Sequence, residues 1–209
     1  MDLCSAIFTG MKPSRLTFWY EFASTYSYPA AMRIDTLASA KKVEIVWRPF
    51  LLGPVFKAQG WSTSPFNLYP VKGAYMWHDV ARICADLGLP FHQPDPFPQN
   101  GLLAARLATL GLTQGWGEAF SKSVYHAEFG EGRSISDWPL LSSLVTAAGG
   151  DPALAQQAAV SETNKSILKQ ATVEAMARGI FGAPSFVTDD GELFWGNDRL
   201  EQALDWALR

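Results

Sequence analysis

The chain has 209 residues, a length that suits one domain or one domain with a large insertion. Apolar residues make up 48%, enough for a hydrophobic core, and 13% of the residues are aromatic. The net charge of -3 provides no basic surface for nucleic acid, and no apolar run reaches the roughly 18 residues of a membrane span. The N-terminus has no signal-peptide pattern. We therefore expect a cytoplasmic protein without a nucleic-acid or membrane partner.

Cysteines and histidines provide no metal or disulfide pattern. Cys4 lies in the N-terminal tail and Cys84 on the apolar face of a predicted helix, so a structural disulfide between them is not expected in a reducing compartment. The three histidines have no metal-ligand spacing: His78, His92 and His126. We expect no metal, and the lack of a glycine-rich phosphate loop argues against nucleotide binding.

The first elements predict a βαβ unit. Residues 16–22 are apolar on both alternating faces, as in a strand covered by helices, and residues 28–42 follow with a helical pattern. Residues 43–50 alternate as a second strand, which should be parallel to the first. The Gly-, Pro- and aromatic-rich residues 51–70 predict a long loop.

A block of helices follows. The apolar spacing predicts a helix from Lys72 to the stop signal at Gly88, and four prolines make residues 90–98 an extended connector. Asp151 before Pro152 is a typical helix start. Further helices are predicted over residues 100–110, 114–129, 139–148, 152–160 and 162–178.

Strands return only near the C-terminus. Residues 184–188 and 192–195 predict a hairpin, and residues 198–208 a last helix. The order β-α-β, helices, β-β-α predicts an α/β thioredoxin-like fold with a large all-helical domain inserted between its halves. We assign residues 15–55 and 180–209 to the thioredoxin-like domain, 56–179 to the inserted domain with a substrate loop, and 1–14 to a tail.

The strand-to-helix junction is the first candidate site. Ser24 and Ser27 have the spacing of a C-x-x-C redox motif without its sulfur atoms. Backbone N–H groups and the dipole at a helix start favour a negative charge, so the Ser24 hydroxyl could hold a thiolate supplied by a small molecule. Alternatively, Ser24 or Ser27 caps the helix, and Pro29 in the first turn favours Ser27.

Three further positions have two interpretations each. Ala183-Pro184 is either an ordinary trans loop entry or a bond facing Ser24, with the Ala183 backbone free to pair with an extended peptide. Asn197 and Asp198 either begin the last helix or hold the ends of an amino-acid zwitterion. Lys72 is either a solvated lysine or a partner for a ligand carboxylate.

Short segments in a set order cover nearly the whole chain: 22–28, 48–50, 57–60, 70–79, 88–91, 182–186 and 196–200. Together they resemble the 2-hydroxychromene-2-carboxylate isomerases and the kappa-class glutathione transferases, which belong with the DsbA-like disulfide oxidoreductases of the thioredoxin superfamily.

The resemblance implies glutathione as cofactor and usually a homodimer. It places the glutathione sulfur at Ser24 beside Tyr26, and the glutathione backbone at Ala183 next to a cis Pro184. It places the γ-glutamyl end at Asn197 and Asp198. A further contact is implied for Lys72. Trp61 stands where relatives often carry a glutathione-contacting Asn, and Asn67 is an alternative.

The implied reaction interconverts 2-hydroxychromene-2-carboxylate and trans-o-hydroxybenzylidenepyruvate, a step in naphthalene degradation. A small aromatic or conjugated carboxylic acid would be the substrate. A glutathione transferase or peroxidase using the same thiolate, and a non-catalytic thiol-peptide binding module, are the alternatives. Dithiol-disulfide exchange is excluded because it needs a protein thiolate at the active turn.

Overall fold

The computed structural model describes residues 13–209, so the interpretation of Cys4 lies outside the described residues. Its sheet contains the strands β1 (Arg15–Tyr20), β2 (Glu44–Pro49), β3 (Ser185–Thr188) and β4 (Leu193–Trp195). The strand order is β2-β1-β3-β4. β1 is parallel to β2, and β3 is antiparallel to both β1 and β4. The predicted parallel βαβ unit and C-terminal hairpin are therefore confirmed.

Ten α-helices surround this sheet in the described part of the chain. They are α1 (Ser27–Lys41), α2 (Leu52–Ala58), α3 (Pro65–Leu68), α4 (Pro70–Asp86), α5 (Leu102–Gln114), α6 (Gly117–Tyr125), α7 (Trp138–Ala147), α8 (Pro152–Ala159), α9 (Glu162–Ala177) and α10 (Leu200–Trp206). A π-helical turn, His126–Gly130, continues α6, and a 3-10 turn, Asn197–Arg199, precedes α10.

The prediction of a continuous loop over residues 51–70 is wrong, because α2 and α3 lie there. In α3 the proline that suggested a loop occupies the first turn: Pro65 follows Ser64, whose hydroxyl accepts the backbone N–H of Phe66. A proline in a first helical turn loses no hydrogen bond, since that N–H has no partner within the helix. A short helix that begins with proline can therefore have the same amino-acid composition as a loop.

The central strand β1 is buried on both faces, as its sequence predicted. Phe18 packs against Trp47 of β2 and Phe186 of β3, with ring centroids 4.9 and 5.4 Å away. On the opposite face Trp19 packs with Phe50 in a separate cluster that includes residues of α2 and α9. Helices therefore cover both faces of the sheet, and this packing holds the carboxyl end of β1 in place.

The main hydrophobic cluster joins the sheet to the helical block. It includes Tyr20 of β1, Met76 of α4, Leu107 of α5, Phe120 of α6 and Leu204 of α10. The domain boundaries at residues 56 and 179 stay predictions, and α2 crosses the first of them. No helix within residues 13–209 is long and apolar enough to cross a membrane.

Candidate functional site

The turn after β1 brings Ser24 against the loop before β3. The Ser24 N–H donates to the carbonyl of Glu21 (3.1 Å), and the Ser24 carbonyl accepts the N–H of Ser27 (3.1 Å). The Ser24 hydroxyl donates to the carbonyl of Ala183 at 2.8 Å. The Ala183-Pro184 peptide is cis. Two segments separated by 159 residues thus meet at one hydroxyl group, and residue Ser24 as a whole is 9% exposed.

The helix-capping interpretation of the two serines is wrong. α1 begins at Ser27, its N-cap is Tyr26, and no side chain caps its first turn. Ser27 is the first residue of the helix, and its Oγ is buried without a hydrogen-bond partner. Pro29 occupies the first turn, as expected. Ser24 is therefore the hydroxyl that remains available for a role other than capping.

Tyr26 is connected to helix α4. Its hydroxyl donates to the carboxylate of Asp79 at 2.9 Å. Burial raises the pKa of the Tyr26 phenol, and the hydrogen bond to Asp79 raises it further, so the phenol stays protonated at neutral pH. The Asp198 charge contributes a smaller increase, which places that carboxylate in the same neighbourhood.

Lys72 lies in the first turn of α4, exposed, with its ammonium group 4.9 Å from the centre of the Tyr69 ring. Asn67 is exposed and donates to the hydroxyl of Thr63 (3.2 Å), while Trp61 packs on Phe56. Of these three residues, only Lys72 carries a positive charge, and its contact with a ligand carboxylate stays a prediction.

Asn197 is held by an arginine from α1. The Arg33 guanidinium donates to the Asn197 side-chain oxygen (3.1 Å) and backbone carbonyl (2.6 Å), and it also pairs with Glu201 of α10. The interpretation of Asn197 as N-cap is wrong, because Gly196 takes that position and the side chain of Asn197 faces Arg33. Sequence reasoning missed Arg33, since its partners lie 164 and 168 residues away.

Asp198 remains available to a ligand. Its side chain is 73% exposed, and its one ion pair is a 3.6 Å contact with neighbouring Arg199. Gly196 has a φ of 110°, and a Cβ atom there would lie 2.6 Å from the Asp198 carboxylate. Glycine at position 196 therefore permits the positive φ of this turn and the close position of the Asp198 carboxylate.

No reactive cysteine faces this site in the described part of the chain. Cys84 on α4 is fully buried, and burial raises the pKa of its thiol to about 11. Nor do residues 13–209 contain a cluster of three His, Cys, Asp or Glu residues that could hold a metal ion. Within residues 13–209, no cysteine is therefore placed to supply a thiolate at Ser24.

Two surface cavities lie elsewhere. One of about 420 Å³ is lined by Asn67, Trp77 and Phe97 among others, and one of about 660 Å³ by residues near Trp138. Neither is lined by Ser24 or the residues that surround it. The contacts on the described residues join the Ser24 turn to the 183–184 loop, to Asp79 of α4 and to Asp198.

Comparison with known proteins shows the family of the chain. The family model described as DSBA-like thioredoxin domain matches residues 15–206. The chain belongs to the DSBA-like thioredoxin family. Within it, the chain is 30% identical over 194 residues to a 2-hydroxychromene-2-carboxylate isomerase of Sphingobium xenophagum, covering 92% of this chain and 97% of the relative.

Two further similarities point the same way. The chain is 26% identical to glutathione S-transferase kappa 2 of Caenorhabditis elegans, covering 90% of this chain and 89% of the relative. A solved structure of a 2-hydroxychromene-2-carboxylate isomerase superposes with a TM-score of 0.83 at 25% identity, covering 93% of this chain and 94% of that one. This DsbA-like protein is thus related to isomerases and kappa transferases, and its relatives support an enzyme of the isomerase type.

Proposed function

We propose that this protein is a glutathione-dependent isomerase that interconverts 2-hydroxychromene-2-carboxylate and trans-o-hydroxybenzylidenepyruvate. The observation that carries the proposal is the pairing of Ser24 with Ala183 at the position where thiol oxidoreductases use a cysteine. A hydroxyl cannot take part in disulfide exchange, but it can donate a hydrogen bond to a thiolate. The relatives named above act on this chromene or carry glutathione in their names.

The charges of the site match the two ends of glutathione. Asp198 would bind the γ-glutamyl ammonium group, and Lys72 a carboxylate. Asn197, fixed by Arg33, would present backbone groups to the same γ-glutamyl end. The Ala183 backbone would pair with the tripeptide backbone, and the protonated Tyr26 would lie beside the sulfur.

The Ser24 hydroxyl would change partners when glutathione binds. In the free protein it donates to the Ala183 carbonyl at 2.8 Å, and rotation about the Cα–Cβ bond would let it donate to the sulfur instead. A free thiol has a pKa of about 8.5, and a charge-assisted hydrogen bond of about 1.5–3 kcal/mol lowers this by about one to two units. Glutathione would then be substantially ionised near neutral pH.

The thiolate would act as a borrowed nucleophile. Its sulfur adds to the conjugated C=C bond of the open substrate, and the electron pair moves onto the pyruvate oxygen as an enolate. The former double bond is now single and rotates. Collapse of the enolate re-forms the C=C bond in the cis geometry and expels the thiolate, so glutathione is regenerated. The phenol oxygen then adds to the ketone carbon, and its proton passes to the ketone oxygen, which gives the cyclic hemiketal.

A glutathione transferase is the second candidate, because the match to kappa transferases covers 90% of the chain. It would use the same thiolate on another electrophile. The purified protein should be assayed with the chromene and with a chlorinated aromatic acceptor, both with and without glutathione. Turnover of the acceptor alone would refute the isomerase proposal. Absence of glutathione binding in calorimetry would refute both enzymes and favour a non-catalytic module.

The proposal includes a homodimer in the cytoplasm, with a small aromatic or conjugated acid as substrate. Multi-angle light scattering on the eluting protein tests the dimer, and a mass of one chain would refute it.

A further inference from the structure

A fully buried acid lies close to the candidate site and has no assigned role. Glu128, in the π-helical turn after α6, is 0% exposed, and neither of its carboxyl oxygens has a hydrogen-bond partner. An ionised carboxylate without a partner is very costly to bury, so the group becomes neutral instead. Burial accordingly raises the pKa of Glu128 well above its usual value, and the charge of Glu21 raises it further.

Glu21 is tied to the turn that carries Ser24. Its backbone carbonyl accepts the Ser24 N–H at 3.1 Å and the Tyr125 hydroxyl at 2.9 Å. Burial raises the pKa of Glu21 to about 7. The Glu21 carbonyl thus connects the Ser24 turn to Tyr125 of α6.

The two acids lie in segments that the Tyr125 hydroxyl joins through the Glu21 carbonyl. Tyr125 and Glu128 are three residues apart, hence on one side of the helical segment, and the charge of Glu21 acts on both. The other titratable group here is the buried Tyr20 of β1, which acts on Tyr125. No lysine, arginine or histidine in the described residues contributes to the pKa of either acid.

Helix α5 contributes no charge to this region. A Cβ atom at Gly101, the N-cap of α5, would lie 3.7 Å from the Glu21 carboxyl, and the next residues, Leu102 and Leu103, are apolar. The exposed neighbours of Glu128 along the chain, His126 and Glu131, pair with each other at 3.4 Å.

We propose that Glu21 and Glu128 are positioning residues that hold at least one proton between them near neutral pH, and that this limits the negative charge beneath a thiolate bound at Ser24. The inference rests on the proposed function, because the thiolate is that of glutathione. Ionisation of Glu21 would place a like charge behind the turn and oppose ionisation of the bound thiol. The bound thiol and Glu21 would therefore titrate as a coupled pair.

Carbon-13 NMR of the free protein labelled at its glutamate carboxyl carbons tests the shared proton without any ligand. Burial also raises the pKa of Glu118, so beside that signal two further carboxyl carbons should titrate clearly above the ordinary pKa of about 4.3. Glu128→Gln should remove one of them, whereas Glu131→Gln, which changes an exposed acid of the same segment, should leave both. If every glutamate titrates near the ordinary pKa, the proposal of a shared proton is refuted, whatever the activity of the protein.

Absorbance of the bound thiolate tests the coupling to Ser24. With saturating glutathione, Glu21→Gln should lower the apparent pKa of the bound thiol by about one unit, a shift typical of removing a nearby like charge. Glu131→Gln should leave it unchanged. Equal titration curves for the two variants, with folding verified by circular dichroism, would overturn the coupling.

The reciprocal experiment needs no substitution, so it tests the coupling even if Glu21→Gln does not fold. Coupling between two sites is mutual, so saturating glutathione should raise the pKa of the Glu21 carboxyl carbon by a similar amount. An unshifted Glu21 signal in a protein that binds glutathione would refute the inference alone. If wild type binds no glutathione, the proposed function and the effect on the thiolate fail together, while the titration of the free protein still decides the shared proton.

Discussion

Removal of the Ser24 hydroxyl affects stability and turnover through two different hydrogen bonds. In the free protein, Ser24→Ala deletes the 2.8 Å bond to the Ala183 carbonyl. A neutral hydrogen bond contributes about 1 kcal/mol, which for a chain of this size corresponds to a fall in Tm of about 2–4 °C. We therefore expect a folded variant with a modest loss of stability.

The loss of turnover should be larger. If the hydroxyl holds the thiolate, the variant loses a charge-assisted bond of about 1.5–3 kcal/mol, which corresponds to a decrease in kcat of about 10- to 150-fold. Glutathione affinity should change much less, because one of many contacts is lost.

Ser27→Ala is the matched control three residues further along. The Ser27 hydroxyl is buried without a partner, so its removal breaks no hydrogen bond; it should not lower the free energy of unfolding and should leave turnover near that of wild type. Isomerisation is followed by the absorbance of the open product, and glutathione affinity by calorimetry. Wild-type kcat in Ser24→Ala, or equal losses in the two variants, would show that Ser24 is not the thiolate anchor.

Three other perturbations probe the surrounding groups. Asp198→Asn should weaken glutathione binding about tenfold in calorimetry, the effect of losing about 1.4 kcal/mol from an exposed ammonium contact, and unchanged affinity would contradict its role. Arg33→Met should lower the free energy of unfolding by about 1–3 kcal/mol, because the side-chain oxygen and the carbonyl of Asn197 lose their donor. The measurement is a urea titration, and an unchanged midpoint of unfolding would show that the contact is unimportant. Because the folded-state pKa of Glu21 is raised to about 7, unfolding free energy should fall as pH rises from about 4.5 through about 7, by at most about 1.4 kcal/mol per pH unit. Glu21→Gln should remove that part of the slope, and an identical slope in the variant would contradict the assignment.

The strands and their pairing followed from local patterns. β1 is apolar on both faces because helices cover both sides of a parallel pair, and that requirement is visible in the residues themselves. Residues 51–70 were misinterpreted as a loop because a proline such as Pro65 is common both in loops and in the first turn of a helix. The capping role of Ser24 or Ser27 was misinterpreted because capping depends on backbone angles that the sequence does not specify.

The amino-acid sequence by itself determined the order of the elements and the replacement of the redox cysteines by Ser24 and Ser27, because both are properties of neighbouring residues. Only the tertiary structure decided which polar groups meet. Ser24 reaches Ala183, Arg33 reaches Asn197 and Glu21 acts on Glu128 across gaps of more than 100 residues. Hydrogen bonding and burial depend on distance in space, so the contact of Ser24 with Ala183 and the burial of Glu128 became visible only when the chain was folded.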